Sequence, residues 1–320
     1  MNQKIQLKQL LKSYSDDILL DQLFHDKLAP AVLGLSEFLF ELVDIQQSDN
    51  QRAHLSTKSG NAIGPFWAAN CSKELFRTQR FIKALHQAIG DKLQSAEGPI
   101  HVLYAGTGPF ALLALPIMAQ FSPEEVQFTL LEINPISFEK MNKCISELGL
   151  EDYINATHCV DAVEYKLNEK DIDILISETM YNGLYREPQV SIILNLVSQL
   201  DQDCTIIPEL IEVSLSEEDL SNGLSKIVSL MNFDRKYIDD VILNSSPLRW
   251  EFPEVLIQHT FKTSTKYFLT TDIQIYKNHK LTLNESSLNL PRRFHITTET
   301  LNKPQSIQYT IDEIPEFRLV

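Results

Sequence analysis

Two acids nine residues apart stand out in the stretch SETMYNGLYREPQV, Ser177 to Val190. Glu178 follows the apolar run DIDILI, which reads as a buried strand. Glu187 precedes Pro188 and the run VSIILNLVSQL, which reads as a helix. Two carboxylates displayed by one loop can grip a cation from two sides. A guanidinium suits such a grip: it is planar, always charged, and offers several N–H donors for charge-assisted bonds. Taken singly, each acid has a plainer reading. Glu178 can be a solvated strand end, and Glu187 a first-turn helix residue favoured by the dipole.

A second cluster lies upstream. YAGTGPFA closes the apolar run PIHVLYAG and opens the run FALLALPIMAQ, read as a helix. Gly106 and Gly108 let a ligand approach the backbone closely, and a helix start favours negative charge. Glu132 ends the next strand, VQFTLLEIN, where a carboxylate can accept bonds from both hydroxyls of a ribose. Asp161, in CVDA after a third strand, can accept a bond from an adenine amino group. Gly106, Gly108 and Ala111 also satisfy the GxGxxA spacing of dinucleotide sites, so these residues alone leave a nicotinamide cofactor open.

The elements that must position these groups alternate. Strand and helix patterns succeed one another over residues 95–205, and the strands are apolar without alternation. This predicts a doubly wound, Rossmann-like α/β domain with a largely parallel sheet. Residues 1–94 read as an N-terminal helical region, with apolar residues at three-to-four spacing in QLKQLLKSY, in SEFLFELVDI and again from Trp67 to Ile89. Pro30 interrupts the pattern, and QQSDNQRAHLSTKSGN reads as a loop. Residues 206–320 are β-rich, in short and partly alternating runs such as IPELIEVSLSEED, KYFLTTDIQIY and SIQYTIDE. The segment LSNGLSKIVSLMNFDRKYIDDVI is expected to be helical. PRRFH, Pro291 to His295, reads as a solvated turn, and His101 as a core histidine.

The loop from Ser177 to Glu187 resembles the double-glutamate loop of the protein arginine methyltransferases. That family has a strand ending in Ser-Glu, a methionine two residues later and a second glutamate nine residues after the first; Ser177, Glu178, Met180 and Glu187 match. The resemblance covers about residues 60 to 275. It implies a class I methyltransferase domain that uses S-adenosyl-L-methionine and a C-terminal β-barrel-like domain, reduced here. Glu178 and Glu187 would then be catalytic, and Gly106, Gly108, Glu132 and Asp161 would hold the cofactor. ELFRT, Glu74 to Thr78, resembles the family's helix before the sheet, which puts Arg77 on the cofactor carboxylate. Met180 would flank the methyl path, although packing is its plainer reading, and the segment from Met231 to Ile242 would be a dimerisation arm. Tyr181 and Tyr185, read from the residues alone, either line the acceptor pocket or fill core. The chain departs from the family in three places: Pro109 and Phe110 follow Gly108, Thr179 stands where a tryptophan is usual, and no Thr-His-Trp loop is present.

Composition narrows the partners. The formal net charge is -15, which suits a cationic substrate and argues against nucleic acid. No apolar run is long enough to span a bilayer and no signal-peptide core opens the chain, so a cytoplasmic protein is expected. Cys71, Cys144, Cys159 and Cys204 lack metal-binding spacing and read as free thiols. The expectation is a homodimeric S-adenosylmethionine-dependent N-methyltransferase without a metal, acting on a guanidino or amino group of a small molecule. Protein arginine methylation is the nearest alternative. A nicotinamide-dependent oxidoreductase and a non-catalytic cofactor-binding protein are more distant ones.

Overall fold

The computed structural model describes residues 3–21, 24–168, 171–219, 223–246, 249–262, 264–296, 305–312 and 314–320. The N-terminal region is helical: α1 (Gln3–Leu19), α2 (Ala29–Val43), the short α3 (Asp49–Arg52), α4 (Pro65–Cys71) and α5 (Leu75–Leu93). Pro30 does not end a helix; it sits in the first turn of α2, where its missing N–H has no cost. The stretch expected as a loop holds α3 and a small hairpin, β1 (Leu55–Thr57) with β2 (Gly60–Ala62). On α5, Phe81, Ile82, Leu85 and Ile89 are fully buried, each contributing about 1.5–3 kcal/mol of apolar transfer.

The central sheet is parallel and five-stranded. Its strands are β3 (Ile100–Ala105), β4 (Val126–Glu132), β5 (Ile154–Cys159), β6 (Ile174–Ser177) and β7 (Thr205–Ile207), in the order β5-β4-β3-β6-β7. The chain leaves β3 in one direction to β4 and later returns to its other side as β6. Ligands bind at the carboxyl edge of such a reversal. Register fixes what emerges there. Ala105 pairs with Leu131 and with Ser177, so the next residues, Gly106, Glu132 and Glu178, leave three adjacent strands at one height. Glu132 in turn pairs with Cys159, which brings Asp161 to the same edge.

Helices α6 (Leu115–Met118), α7 (Pro135–Leu148) and α8 (Gln189–Val197) connect the strands. Asn134 caps α7 by accepting from the Ile136 and Ser137 N–H groups at 3.0 and 3.3 Å, and Gly149, in the left-handed region, ends it. Every residue of α8 is buried, the apolar ones in the core and Gln189 and Asn195 with hydrogen bonds to neighbouring backbone. The helix expected over Phe110–Gln120 is much shorter. Phe110 to Ala114 form turns, Ala111 has φ 49°, and helix begins only at Leu115, with Pro116 in its first turn. The anion-favouring helix start expected directly after Gly108 is therefore absent.

The C-terminal region is antiparallel. β8 (Leu210–Asp219) pairs with β9 (Gly223–Asp234) on one side and, across α9 (Arg235–Asn244) and the short β10 (Glu254–Ile257), with β11 (Tyr267–Tyr276) on the other. β12 (His279–Leu281) and β13 (Arg292–Phe294) pair with opposite ends of β11. β14 (Gln305–Thr310) and β15 (Glu316–Leu319) form a second sheet in the order β10-β14-β15.

The helical expectation for the segment Leu220–Ile242 needs correction. Leu220, Ser221 and Asn222 lie outside the described residues; Gly223–Asp234 is a strand, and only Arg235 onward is helix. Leu224, Ile227, Val228 and Met231 mimic helical spacing. The cause is local: two irregularities in the β8–β9 register break the two-residue alternation that marks a strand. PRRFH likewise contributes strand β13 rather than a turn.

Candidate active site

One cavity gathers the predicted groups. It has an open volume of about 1100 Å³ and is lined by Arg77, Gly106, Gly108, Glu132, Asp161, Glu178 and Glu187. Met180, Tyr181 and Tyr185 do not line it. Met180 is buried, Tyr181 is 44% exposed, and the Tyr185 ring carries the guanidinium groups of Arg186 and Arg292 on its faces. Among the described residues, no group of three or more His, Cys, Asp or Glu could hold a metal ion.

At the glycine end, the backbone is already organised by an acid. Glu132 Oε2 accepts from the Gly108 N–H at 2.7 Å and Oε1 from the Asn134 N–H at 2.8 Å. Burial raises its pKa to about 6 against the pull of these donors, so it is ionised at neutral pH. Each oxygen keeps a second lone pair for a ligand hydroxyl. Gly106 has φ 78° and its N–H donates to the Leu131 carbonyl at 2.9 Å. A Cβ there would lie 2.0 Å from Thr179 Cγ2, so any other residue would collide with the acidic loop. Asp161 accepts from the Val163 N–H at 2.9 Å, and burial raises its pKa. The residues present fit a nucleoside-bearing cofactor: a bare glycine turn, two acids at successive strand ends and a cavity of sufficient size.

At the other end, negative charge is in excess. Arg77 Nε donates to Glu178 Oε2 at 2.9 Å, and Nη2 reaches the same oxygen. Nη1 donates to Glu74 Oε1 at 2.9 Å. The opposite oxygen, Glu178 Oε1, is buried without a hydrogen-bond partner among the described residues. Burial raises the Glu178 pKa while Arg77 opposes the rise. Burial and the charge of Glu178 together push Glu187 up to about 7. Burial disfavours the Arg77 cation, but Glu178, Cys71 and Glu74 together outweigh it and hold the pKa well above the ordinary value. Arg77 was expected on a cofactor carboxylate; here its guanidinium lies between Glu74 and Glu178, on the wall of the same cavity.

The loop holding the two acids is strained and tied down on all sides. Leu184 and Arg186 have φ 51° and 66°, unusual for non-glycine residues and costing about 1–3 kcal/mol each. The Tyr309 hydroxyl donates to the Leu184 carbonyl at 2.8 Å, the Arg186 N–H to the Pro315 carbonyl at 2.8 Å, and the Asn61 N–H to the Arg186 carbonyl at 2.8 Å. The last bond joins the loop to the β1–β2 hairpin, whose Thr57 and Asn61 also line the cavity.

Three positioning residues escaped sequence reasoning. Gln189, fully buried, donates to the Ser177 carbonyl at 3.0 Å and accepts from the Thr179 N–H at 2.9 Å, bracketing Glu178 in the chain. Glu74 accepts from Arg77, from the Ser287 hydroxyl at 2.7 Å and from the Ser287 N–H at 2.7 Å. Ser287 thereby brings a C-terminal turn against the acids. The spacing of Glu74 and Arg77, three apart on one helix start, was the only available signal. Nothing local could have shown Ser287, 213 residues from Glu74.

A reversed parallel sheet with a glycine turn and acids at its carboxyl edge, followed by antiparallel sheets, defines a Rossmann-like α/β domain with a β-rich C-terminal region. Solved structures agree on the fold. A crystal structure of PRMT6 aligns with 80% of this chain and 98% of its own, at 11% identity and a TM-score of 0.52. Protein arginine methyltransferase 10 of Arabidopsis thaliana, in an open conformation, aligns with 75% of this chain and 86% of its own, at 12% identity and a TM-score of 0.52. A Trypanosoma brucei PRMT1 enzyme–prozyme complex with AdoHcy covers 78% of this chain and 96% of its own at 14% identity, with a TM-score of 0.44. No protein-family model matches the chain, and no curated protein matches it in sequence.

Proposed function

We propose that this protein is an S-adenosyl-L-methionine-dependent N-methyltransferase acting on a guanidino or amino group. One observation carries the reading. Glu178 lines the same cavity as Glu187 and the Gly106–Glu132 nucleotide cradle, and its Oε1 is buried with no hydrogen-bond partner among the described residues. Its other oxygen already binds a guanidinium, that of Arg77. The acceptor cation would take the vacant lone pairs of Glu178 and those of Glu187.

When bound, the cofactor supplies a methyl group on a cationic sulfonium. Two unit positive charges about 4 Å apart repel by roughly 4 kcal/mol at an effective dielectric near 20. Glu178 and Glu187 offset that repulsion, localise charge on the nitrogens they bind and hold the remaining nitrogen in line. Glu132 and Asp161 fix the ribose and adenine ends, with Gly106 and Gly108 allowing close approach. Positioning and fixed charge then supply the rate gain. Glu187 must be ionised to act, so its pKa of about 7 makes turnover rise with pH through neutrality.

The missing Thr-His-Trp loop supports a small acceptor, and the fold shared with arginine methyltransferases supports a protein arginine equally. Calorimetric titration with S-adenosylhomocysteine and with NAD, followed by turnover on guanidines, amines and arginine peptides, tests the reading. Binding of NAD alone would replace it with redox chemistry. Cofactor binding without any turnover would leave a non-catalytic binder. The same reading includes a homodimer, supported by α9, whose Leu243 is 81% exposed. Sedimentation showing only monomer at micromolar concentration removes that part. No described helix is long and apolar enough to cross a membrane.

A further inference from the structure

Strand β13, from the basic run PRRFH, forms one side of a groove with an open volume of about 650 Å³; β15 forms the other. Arg292, Arg293, His295 and Arg318 line it, with Glu316 and with Gly183 of the acidic loop. Among the described residues, β13 pairs with β11 and β15 with β14, so edges of two different sheets border the groove. The arginines are held without being neutralised. Arg292 Cζ lies 3.1 Å from the Tyr185 ring centroid, and Arg293 Cζ 5.3 Å from that of Phe268. A Cβ on Gly183 would sit 3.4 Å from Arg292 Cδ, an ordinary contact distance, so the arginine stem lies against the loop. Among the described residues, neither Arg292 nor Arg293 has a carboxylate within ion-pair distance, whereas Arg318 bonds Glu316 at 2.6 Å. Among the described residues lining the groove, three guanidinium groups stand against one carboxylate, in a chain whose net charge is -15. Concave basic sites in an acidic protein attract anions, and guanidinium groups bind carboxylate and phosphate with directional, charge-assisted bonds.

The groove is tied to the acidic site twice. Tyr185, under Arg292, is two residues before Glu187. Ser287, bonded to Glu74 in the network around Glu178, is five residues before Arg292, so its Cα lies within about 18 Å of that of Arg292 by chain reach. We infer that the groove is an anion subsite that takes a carboxylate or phosphate carried by the acceptor whose cationic end Glu178 and Glu187 hold. The assignment to the acceptor rests on the methyl-transfer reading; the anion site does not.

Inorganic phosphate titrated into the full chain without cofactor should bind saturably. Affinity should fall about tenfold or more in Arg293→Gln, an exposed position, and in Arg292→Gln/Arg293→Gln, with near-ultraviolet circular dichroism confirming the fold. Guanidine acceptors of increasing length, each with and without a terminal carboxylate or phosphate, then identify the source of the anion. The anionic tail should lower KM, phosphate should compete with tailed acceptors, and the tail's KM advantage should fall about tenfold in the variants. Equal phosphate binding by wild type and variants, or none, overturns the site. Phosphate binding that is lost in the variants but neither competes with acceptor nor accompanies a tail effect assigns the groove to a free anion and overturns the acceptor assignment. Absence of turnover on every acceptor removes the methyl-transfer reading and the acceptor assignment with it, while the phosphate titration still decides the anion site.

Discussion

Glu132 and Glu178 leave the two strands that flank β3 at the same height, yet their surroundings are opposite. Glu132 has both oxygens on backbone N–H groups and so holds the glycine turn in shape. Glu178 has one oxygen on Arg77 and the other on nothing, with Glu187 adding charge to the same cavity. Position in the fold is shared, and the local donors make one acid a scaffold and the other a reactive surplus. Buried polar groups are ordinarily paired, so an acid oxygen with no partner among the described residues is where the proposed acceptor would bind.

The contrast can be broken most forcefully at Arg77. Arg77→Ala leaves Glu178 buried beside Glu187 without its cation, and removing one partner of a buried pair should cost about 3–5 kcal/mol in denaturant unfolding. A loss near zero would mean that the pair is solvated and the surplus illusory. Glu132→Ala comes next. It should weaken S-adenosylhomocysteine binding by about 1.5–3 kcal/mol, through lost charged hydrogen bonds and a loosened Gly108 turn. Unchanged binding would place the nucleotide elsewhere. Gln189→Ala should cost about 1–3 kcal/mol of stability by stranding the Thr179 N–H and the Ser177 carbonyl. It should also lower kcat more than cofactor affinity, since the freed segment carries Glu178.

The smallest expected effect concerns Glu187 and pH. Burial and the charge of Glu178 hold the folded pKa of Glu187, about 7, above the ordinary glutamate value of 4.5. The folded state therefore binds more protons over that window, and the stability this group contributes at low pH is lost as pH rises from about 4.5 through about 7. Glu187→Gln should flatten that loss and be more stable than wild type at pH 8, by about 1–2 kcal/mol after allowance for its partial exposure. Thermal unfolding across pH checks it, and equal slopes in both proteins would show that Glu187 is ordinarily solvated.

Much of this site was legible in the sequence because a parallel sheet buried on both faces writes its strands as apolar runs, and the polar residue after each run marks the carboxyl edge. Gly106, Glu132, Asp161 and Glu178 were each found that way. Glu187 came from its spacing to Glu178. Gln189 was not legible: in sequence it is one more residue at a helix start, and its role depends on the path of a strained loop. Glu74 and Ser287 meet only through tertiary packing. The bulged strand Gly223–Asp234 was misread because its register slips imitate helical spacing. Arg292 and Arg293 looked solvated because their groove arises between edges of separate sheets.

The central claim is that Glu178 and Glu187 orient a cationic acceptor while other residues hold the cofactor. Single-turnover methyl transfer by Glu178→Gln and Glu187→Gln, beside S-adenosylhomocysteine titration of the same variants, tests it most directly. The account predicts that each variant keeps cofactor affinity within about twofold and loses about a hundredfold in the chemical step, as expected when an acceptor is free to turn out of line. Near-normal transfer by both variants would contradict it and leave the two acids as structural features of a strained loop.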